Sequence, residues 1–300
     1  MTTDDTKWAL ITGAGPGGLG EAEANAFLHR GINVFATSVD IETTKHVSPI
    51  PGTNEGFLIQ MHLDVTSEKS ISHAFDFVQQ ITNGKLAYLI NNAGYGYFTP
   101  LLDVDIARAK RQYDVNVWGA LAVTRAFYPL LRAAKGIVVN QASVAGLPGF
   151  NRPFMGIYSS SKAALLSLND AMRMELEPFG VKVVALVTSA VKTDFATNAR
   201  GGKVVEGSLY MPVREEVERA MSDDMTSENG HDRIEVARKL MEVLLGEKTP
   251  LYVRNGYMAT LIWLLHLLLP VWLLDLMHRS GSGLERLKML MTNDEAEKQD

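Results

Sequence analysis

Residues 12–20 read Thr-Gly-Ala-Gly-Pro-Gly-Gly-Leu-Gly, five glycines and a proline in nine positions. The run follows the apolar stretch "KWALITG" and leads into "GEAEANAFLHRG", which has helical periodicity and closes at Gly31. A glycine run between a strand and a helix is more informative than one in a loop. Bare backbone N–H groups and a helix N-terminus can meet a pyrophosphate there. Two parses satisfy G-x-G-x-x-G: Gly13, Gly15 and Gly18, or Gly15, Gly17 and Gly20. A tight turn without a ligand would use the same residues, so the rest of the chain decides.

Outward from this run, short apolar segments recur: "INVFATS", "GFLIQMHLDV", "LAYLINNAG", "GIVVNQAS", "VKVVALVTS" and "LYVRNG". Longer helical patterns separate them, including one over 67–84 with Ser67 as N-cap and Gly84 as stop. Near-continuous apolar strands alternating with helices predict a parallel sheet covered on both faces. Right-handed crossovers then give a doubly wound α/β fold, whose ligands bind beyond the carboxyl ends of the strands. The unusual residues fall at those ends. Residues 1–257 read as one dinucleotide-binding catalytic domain. Within it, the polar stretch 197–232 reads as a substrate loop or lid. Residues 258–300 read as an apolar helical tail with a polar C-terminus.

Bulk properties exclude several classes. The 300 residues carry a net charge of −5, with no basic excess for a nucleic acid. There are no cysteines, and none of the seven histidines lies in a metal-spaced cluster, so no metal is expected. The polar start "MTTDDTK" runs straight into a strand and leaves no room for a secretory signal.

Tyr158 and Lys162 open a long helical stretch at i and i+4, on one helix face. An ammonium beside a phenol favours phenolate and readies it for proton transfer. An aromatic core residue plus a solvated lysine is the alternative. Ser143 ends a strand fifteen residues earlier, where it could donate to a carbonyl or merely cap a turn. Asn116 interrupts a helical stretch that it does not favour.

Together these residues resemble the short-chain dehydrogenase/reductase superfamily over residues 7–257. The likeness includes the loop at 12–20, Asp64-Val65, "NNAG" at 91–94, Asn116, Ser143 and the Tyr158/Lys162 pair. It implies a Rossmann fold and roles for each position. Tyr158 would protonate the carbonyl oxygen. Lys162 would support it and bond the nicotinamide ribose. Ser143 would polarise the carbonyl, and Asn116 would hold a water reaching Lys162. Gly13, Gly18, Leu19 and Gly20 would carry the phosphates. Asp64 and Val65 would lie at the adenine, and Asn91, Ala93 and Gly94 at the adenosine ribose. Val191 and Thr193 would meet the carboxamide, with Ile11 and Arg125 as further cofactor contacts. The family's usual loop is one residue shorter. That puts Gly18-Leu19-Gly20 at the helix start and makes Gly13 to Gly17 a longer loop. The usual Pro-Gly after the sixth strand is Thr188-Ser189 here, which implies a less constrained backbone. "PGGLG", "GSLYMP" at 207–212 and the tail are similar to fungal 1-acyldihydroxyacetone-phosphate reductase-like enzymes.

The residue after the second strand separates NAD from NADP, since an acid there repels a 2′-phosphate. Ser38 takes that place and is neutral. Asp40 works against NADP, and Lys45 offsets it. NADP(H) is expected over NAD(H), acting on a small apolar carbonyl or alcohol substrate in a homo-oligomer. A non-catalytic dinucleotide-binding protein or a membrane-associated lipid-binding protein is the competing reading.

The tail leaves three readings open. Residues 258–277, "MATLIWLLHLLLPVWLLDLM", are about as long as a bilayer span but contain His266, Pro270 and Asp275. They could pack on the domain or a partner copy, lie kinked in a membrane interface, or span it. The expected location is the cytoplasmic side, soluble or peripheral to endoplasmic reticulum or lipid-droplet membrane.

Overall fold

A computed structural model describes residues 6–48, 56–195, 202–222 and 229–297. Parts of the expected lid, 197–201 and 223–228, lie outside the described residues. The chain forms a seven-stranded parallel sheet with the order β3-β2-β1-β4-β5-β6-β9. Its strands are β1 (Trp8–Thr12), β2 (Asn33–Ser38), β3 (Leu58–His62), β4 (Tyr88–Asn91), β5 (Ile137–Ser143), β6 (Lys182–Thr188) and β9 (Tyr252–Asn255). The order reverses between β1 and β4, which opens a crevice at their carboxyl ends. All five residues of β1 and all six of β2 are buried, because helices cover both faces of the sheet. One core layer gathers Phe27, Val34, Ile90 and Leu240; the other gathers Leu10, Phe35, Leu89 and Phe127.

The helices start and stop where the sequence marks them. Helix α1 (Leu19–Leu28) begins at Gly18, as the loop alignment predicts. Helix α2 (Glu68–Ile81) is capped by Ser67, whose hydroxyl accepts from the Ser70 N–H. The stretch 106–134 is not one regular helix. It comprises α3 (Ile106–Tyr113), a π-helical turn (Asp114–Gly119) and α4 (Ala120–Ala134). Helix α5 (Gly156–Leu176) carries Tyr158 and Lys162. Two elements come from outside the sheet pattern: a parallel pair of β7 (Val191–Lys192) and β8 (His231–Asp232). Helix α6 (Arg214–Ser222) belongs to the expected lid, and α7 (Arg233–Leu245) packs on α1.

The backbone after β6 is well fastened despite Thr188-Ser189. Ser189 N–H donates to Asn255 O at 2.9 Å, and Ala190 O accepts from Tyr257 at 3.0 Å and His231 at 3.2 Å. The constraint that proline would supply comes from neighbouring strands instead.

The stretch 258–277 breaks at Leu269-Pro270 into α8 (Ala259–Leu268) and α9 (Val271–Arg279), with α10 (Leu284–Glu297) beyond them. Among the described residues no helix is long and apolar enough to cross a membrane. Helix α8 packs against β9 and the turn after Ser143, so the tail is part of the folded body.

Candidate active site

The carboxyl ends of the strands border one continuous cavity of about 1400 Å³. A single drug-sized ligand fills roughly 300–1,000 Å³. The space therefore suits a dinucleotide and a substrate together.

The glycine loop forms one end. Gly13 has φ +69°, and a Cβ there would lie 2.8 Å from the Ala93 Cα. Gly17 has φ +66°, and its missing side chain leaves room for the Asp194 carboxylate. Asp194 N–H donates to Gly17 O at 3.1 Å, so the segment after β7 folds over the loop. The extra residue is thus absorbed by a left-handed glycine. Asn92 locks the loop from the β4 side. Its Nδ2 donates to Thr12 O at 3.0 Å and Gly13 O at 2.9 Å. Thr12 Oγ1 accepts from the N–H groups of Asn92 and Ala93. Helix α1 has no side-chain cap at Gly18, which leaves its first N–H groups for an outside anion. This uncapped helix start, facing a cavity through a loop with few side chains, fits a dinucleotide pyrophosphate.

Of the expected cofactor residues, Gly13, Gly18, Leu19, Ser38, Asp64, Val65, Ala93, Gly94, Val191 and Thr193 line the cavity. Four expected positions do not. Ile11 is fully buried in the core, because β1 has both faces covered. Gly20 lies behind the loop, where a Cβ would meet Asn92 Nδ2 at 2.4 Å. Arg125 is exposed on α4. Asn91 points inward, donating to Thr124 Oγ1 and Asn140 Oδ1 at 2.9 Å each. Strand alternation explains Asn91: its neighbour Asn92 takes the cavity side.

Thr43 is a cavity residue that strand reading missed. Its hydroxyl donates to Asp40 O at 2.6 Å and lies 2.9 Å from Ser38 Oγ, and Ser38 and Thr43 both line the wall beyond β2. Asp40 caps the 3₁₀ turn at 41–46, its carboxylate accepting from Glu42 N–H. Lys45 pairs with Glu42, and neither Asp40 nor Lys45 lines the cavity.

The proton-transfer residues gather at the middle of the cavity. Lys162 is buried, and its Nζ lies 5.8 Å from the Tyr158 ring centroid and donates to Gln141 O at 2.7 Å. Burial lowers the lysine pKa to about 8. Tyr158 borders the cavity, packed edge-on against Phe98 and tilted against Phe195. Ser143 Oγ accepts from Ala145 N–H at 3.1 Å, so it is a turn cap as well as a cavity residue. Accepting that bond leaves its hydroxyl proton free to donate into the cavity.

Asn116 occupies the π-helical turn and is buried. Its Nδ2 donates to Tyr95 O at 3.0 Å and Ser161 Oγ at 3.1 Å, and its Oδ1 accepts from Tyr95 N–H. A Cβ at Gly94 would lie 3.1 Å from Asn116 Oδ1 and 3.5 Å from Lys162 Nζ. The bare glycine therefore lets asparagine and lysine share one space. Ser161 is a second residue that sequence reading missed. It accepts from Asn116 and Gln112 and donates to Tyr158 O at 2.7 Å, linking the turn to α5. Its position inside "YSSSK" was visible, but its partners come from a distant helix.

The described lid closes over this centre. Val213, Val217 and Met221 pack with Phe154 and Tyr158, and Leu284 and Leu287 of α10 pack on them. Arg286 of α10 pairs with Glu216 of α6.

The sequence profile described as short chain dehydrogenase matches residues 7–203. The chain is 37% identical over 283 residues to a short-chain dehydrogenase, ptmH, of Penicillium ochrochloron, covering 93% of this chain and 99% of that one. It is 38% identical over 212 residues to an NADPH-dependent 1-acyldihydroxyacetone phosphate reductase of Schizosaccharomyces pombe, covering 69% of each. Its fold is similar to the crystal structure of a short-chain dehydrogenase from Streptomyces avermitilis. That likeness has a TM-score of 0.74 and 28% identity, over 88% of this chain and 93% of that one.

Proposed function

The chain belongs to the short-chain dehydrogenase/reductase family, and from that premise we propose that it is an NADP(H)-dependent oxidoreductase. It reduces a ketone, or oxidises the matching secondary alcohol, on an apolar substrate such as an acyl-lipid precursor or a fungal secondary metabolite. The observation that carries this reading is the buried Lys162 ammonium beside Tyr158, with Ser143 on the same cavity. A non-catalytic dinucleotide-binding protein could use the lysine on the ribose but has no use for the phenol and the Ser143 hydroxyl beside it.

The nicotinamide, when bound, supplies or accepts the hydride. Ser143 donates its hydroxyl to the carbonyl oxygen and orients it. Tyr158 gives its phenolic proton to that oxygen as negative charge develops. Lys162 stabilises the phenolate left behind, and Gln141 O holds the ammonium in place. Asn116 offers its remaining Oδ1 lone pair toward Lys162, where a water can return a proton from solvent. NADP(H) is favoured because Ser38 and Thr43 present two neutral hydroxyls at the ribose end. Asp40 is turned to its own helix turn, which removes the expected obstacle. The name of the Schizosaccharomyces pombe relative agrees with this preference.

NADPH absorbance monitored with acyl-dihydroxyacetone phosphate and polyketide-like ketones tests the reading. Tyr158→Phe should bind NADPH as before and lose about 10²–10⁴-fold in turnover. Undiminished turnover in that variant would end the assignment.

The outer faces of α8 and α9 expose Leu267, Leu268, Val271 and Trp272. This supports docking of the tail on a lipid interface, with lipophilic substrate close at hand.

A further inference from the structure

The tail has an inner face as well as an outer one. Ile262 and Leu265 of α8 and Met277 of α9 border the same cavity as Tyr158 and Ser143. From the catalytic side, Phe150 and Met155 border it too. Both belong to the segment between Ser143 and Tyr158, so this part of the cavity adjoins the reacting groups. Its lining is mainly apolar side chains, with Arg152 and His278 at its border, unlike the hydroxyl-rich wall at Ser38 and Thr43.

The tail is fastened to that segment at three points. Leu274 is buried and seats on Gly149, where a Cβ would come within 2.5 Å of its Cδ1. His278 Nε2–H donates to Gly149 O at 3.1 Å. The His278 ring meets Phe150 edge-on at 5.5 Å between centroids. Burial lowers the His278 pKa, against the smaller opposing effect of its hydrogen bond to Gly149 O. The wall is therefore held at a fixed distance from the tyrosine. It also lies beyond residues 7–203, the part that the family profile matches. What it does belongs to this chain and its like-built relatives rather than to the shared dinucleotide scaffold.

We propose that Ile262, Leu265 and Met277 set which substrates are accepted, by gauging the length of an apolar chain on the ketone. The carbonyl lies at Tyr158 and Ser143. The chain runs between Phe150 and Met155 on one side and the tail helices on the other. Unbranched methionine adapts to chains of different shape, while Ile262 and Leu265 fix the floor. This inference rests on the ketone-reductase reading above.

The experiment uses the full-length protein, NADPH and methyl ketones from butanone to dodecanone. In the wild type, kcat/KM should climb by up to about fourfold for each added methylene, the value of burying one in an apolar site. Met277→Trp and Leu265→Trp fill the chamber. They should cut the longest ketones by about tenfold or more while leaving butanone within about twofold. NADPH binding, read by nucleotide fluorescence, should not change. Leu268→Trp, on the exposed outer face, is the control and should keep the wild-type profile. Met277 is itself exposed, so its replacement tests the idea even if Leu265→Trp fails to fold. A uniform loss across all ketones, no loss at all, or an equal selective loss of the long ketones in Leu268→Trp overturns the gauge. A wild type that binds NADPH but reduces none of the ketones overturns the reductase reading, and the gauge with it.

Discussion

Glu23 lies on α1 between Leu19 and Phe27, one turn from each on the same face. It is 1% exposed, and neither carboxylate oxygen has a hydrogen-bond partner. Burial raises its pKa from the ordinary 4.5 to about 8. The folded protein therefore holds a proton there that the unfolded chain releases above about 4.5. Stability from this group is fully present below the unfolded value and is lost as pH rises through the folded one. At about 1.4 kcal/mol per pH unit, the interval is worth on the order of 5 kcal/mol in an interior that does not relax. Glu23→Gln keeps the shape and cannot ionise. Urea unfolding of both proteins, monitored by tryptophan fluorescence, measures the difference. Near pH 5 the two should agree within about 1–2 kcal/mol. By about pH 9 the glutamine variant should be more stable by several kcal/mol. A stability difference that stays flat between those pH values would show that the carboxyl finds water or a partner, and the burial argument would be wrong.

The site and the tail each give a further expected outcome. Ser38→Asp places a negative charge where the 2′-phosphate is expected. A pair of unit charges about 4 Å apart repels by about 4 kcal/mol at a surface-like dielectric, so NADPH affinity should fall by 10²-fold or more on that order. NADH affinity should hold or rise; a fall of both nucleotides alike would point to damage to the fold instead. Replacing both Leu268 and Trp272 with aspartate should abolish cosedimentation of the full-length protein with phospholipid vesicles while leaving soluble-ketone turnover intact. Equal sedimentation of both proteins would place the exposed tail face against something other than lipid.

The scaffold was legible because its signals are local. A strand with both faces buried reads as an unbroken apolar run, and Ser67 and Gly18 mark helix starts by their own chemistry. Placement at strand and helix ends left core and capping roles open for Ser143, Tyr158 and Lys162; the family resemblance implied a shared site, and all three line one cavity. What escaped depends on distant partners or on the phase of the backbone. Asn91 and Asn92 are adjacent and chemically alike, and only the direction of β4 decides which one faces the glycine loop. Arg125 is a helix charge whose side of α4 is fixed by packing rather than spacing. Thr43 lies in a short 3₁₀ turn with no periodicity to mark it. The tail's inner face was hidden because apolar residues surround both helices, so composition could not separate the wall of a chamber from a surface for lipid.

The π-helical turn at Asp114–Gly119 differs from the glycine loop in its tolerance of a change in length. A π turn holds one residue more than the α-helix around it. Deleting one residue there would close the widened turn to an ordinary α-helical one and keep α4 in phase with α3. Val123 and Phe127 would stay in the core, but Asn116 would be drawn away from Ser161 and Lys162. The loop at 13–17 accepts an added residue because a left-handed glycine turns it aside without displacing α1. A change of one residue is thus harmless in the loop and disables the proton path at the other end of the cavity. Insertions and deletions among sequences of this build should crowd into the phosphate loop and the lid, and be missing from 114–119.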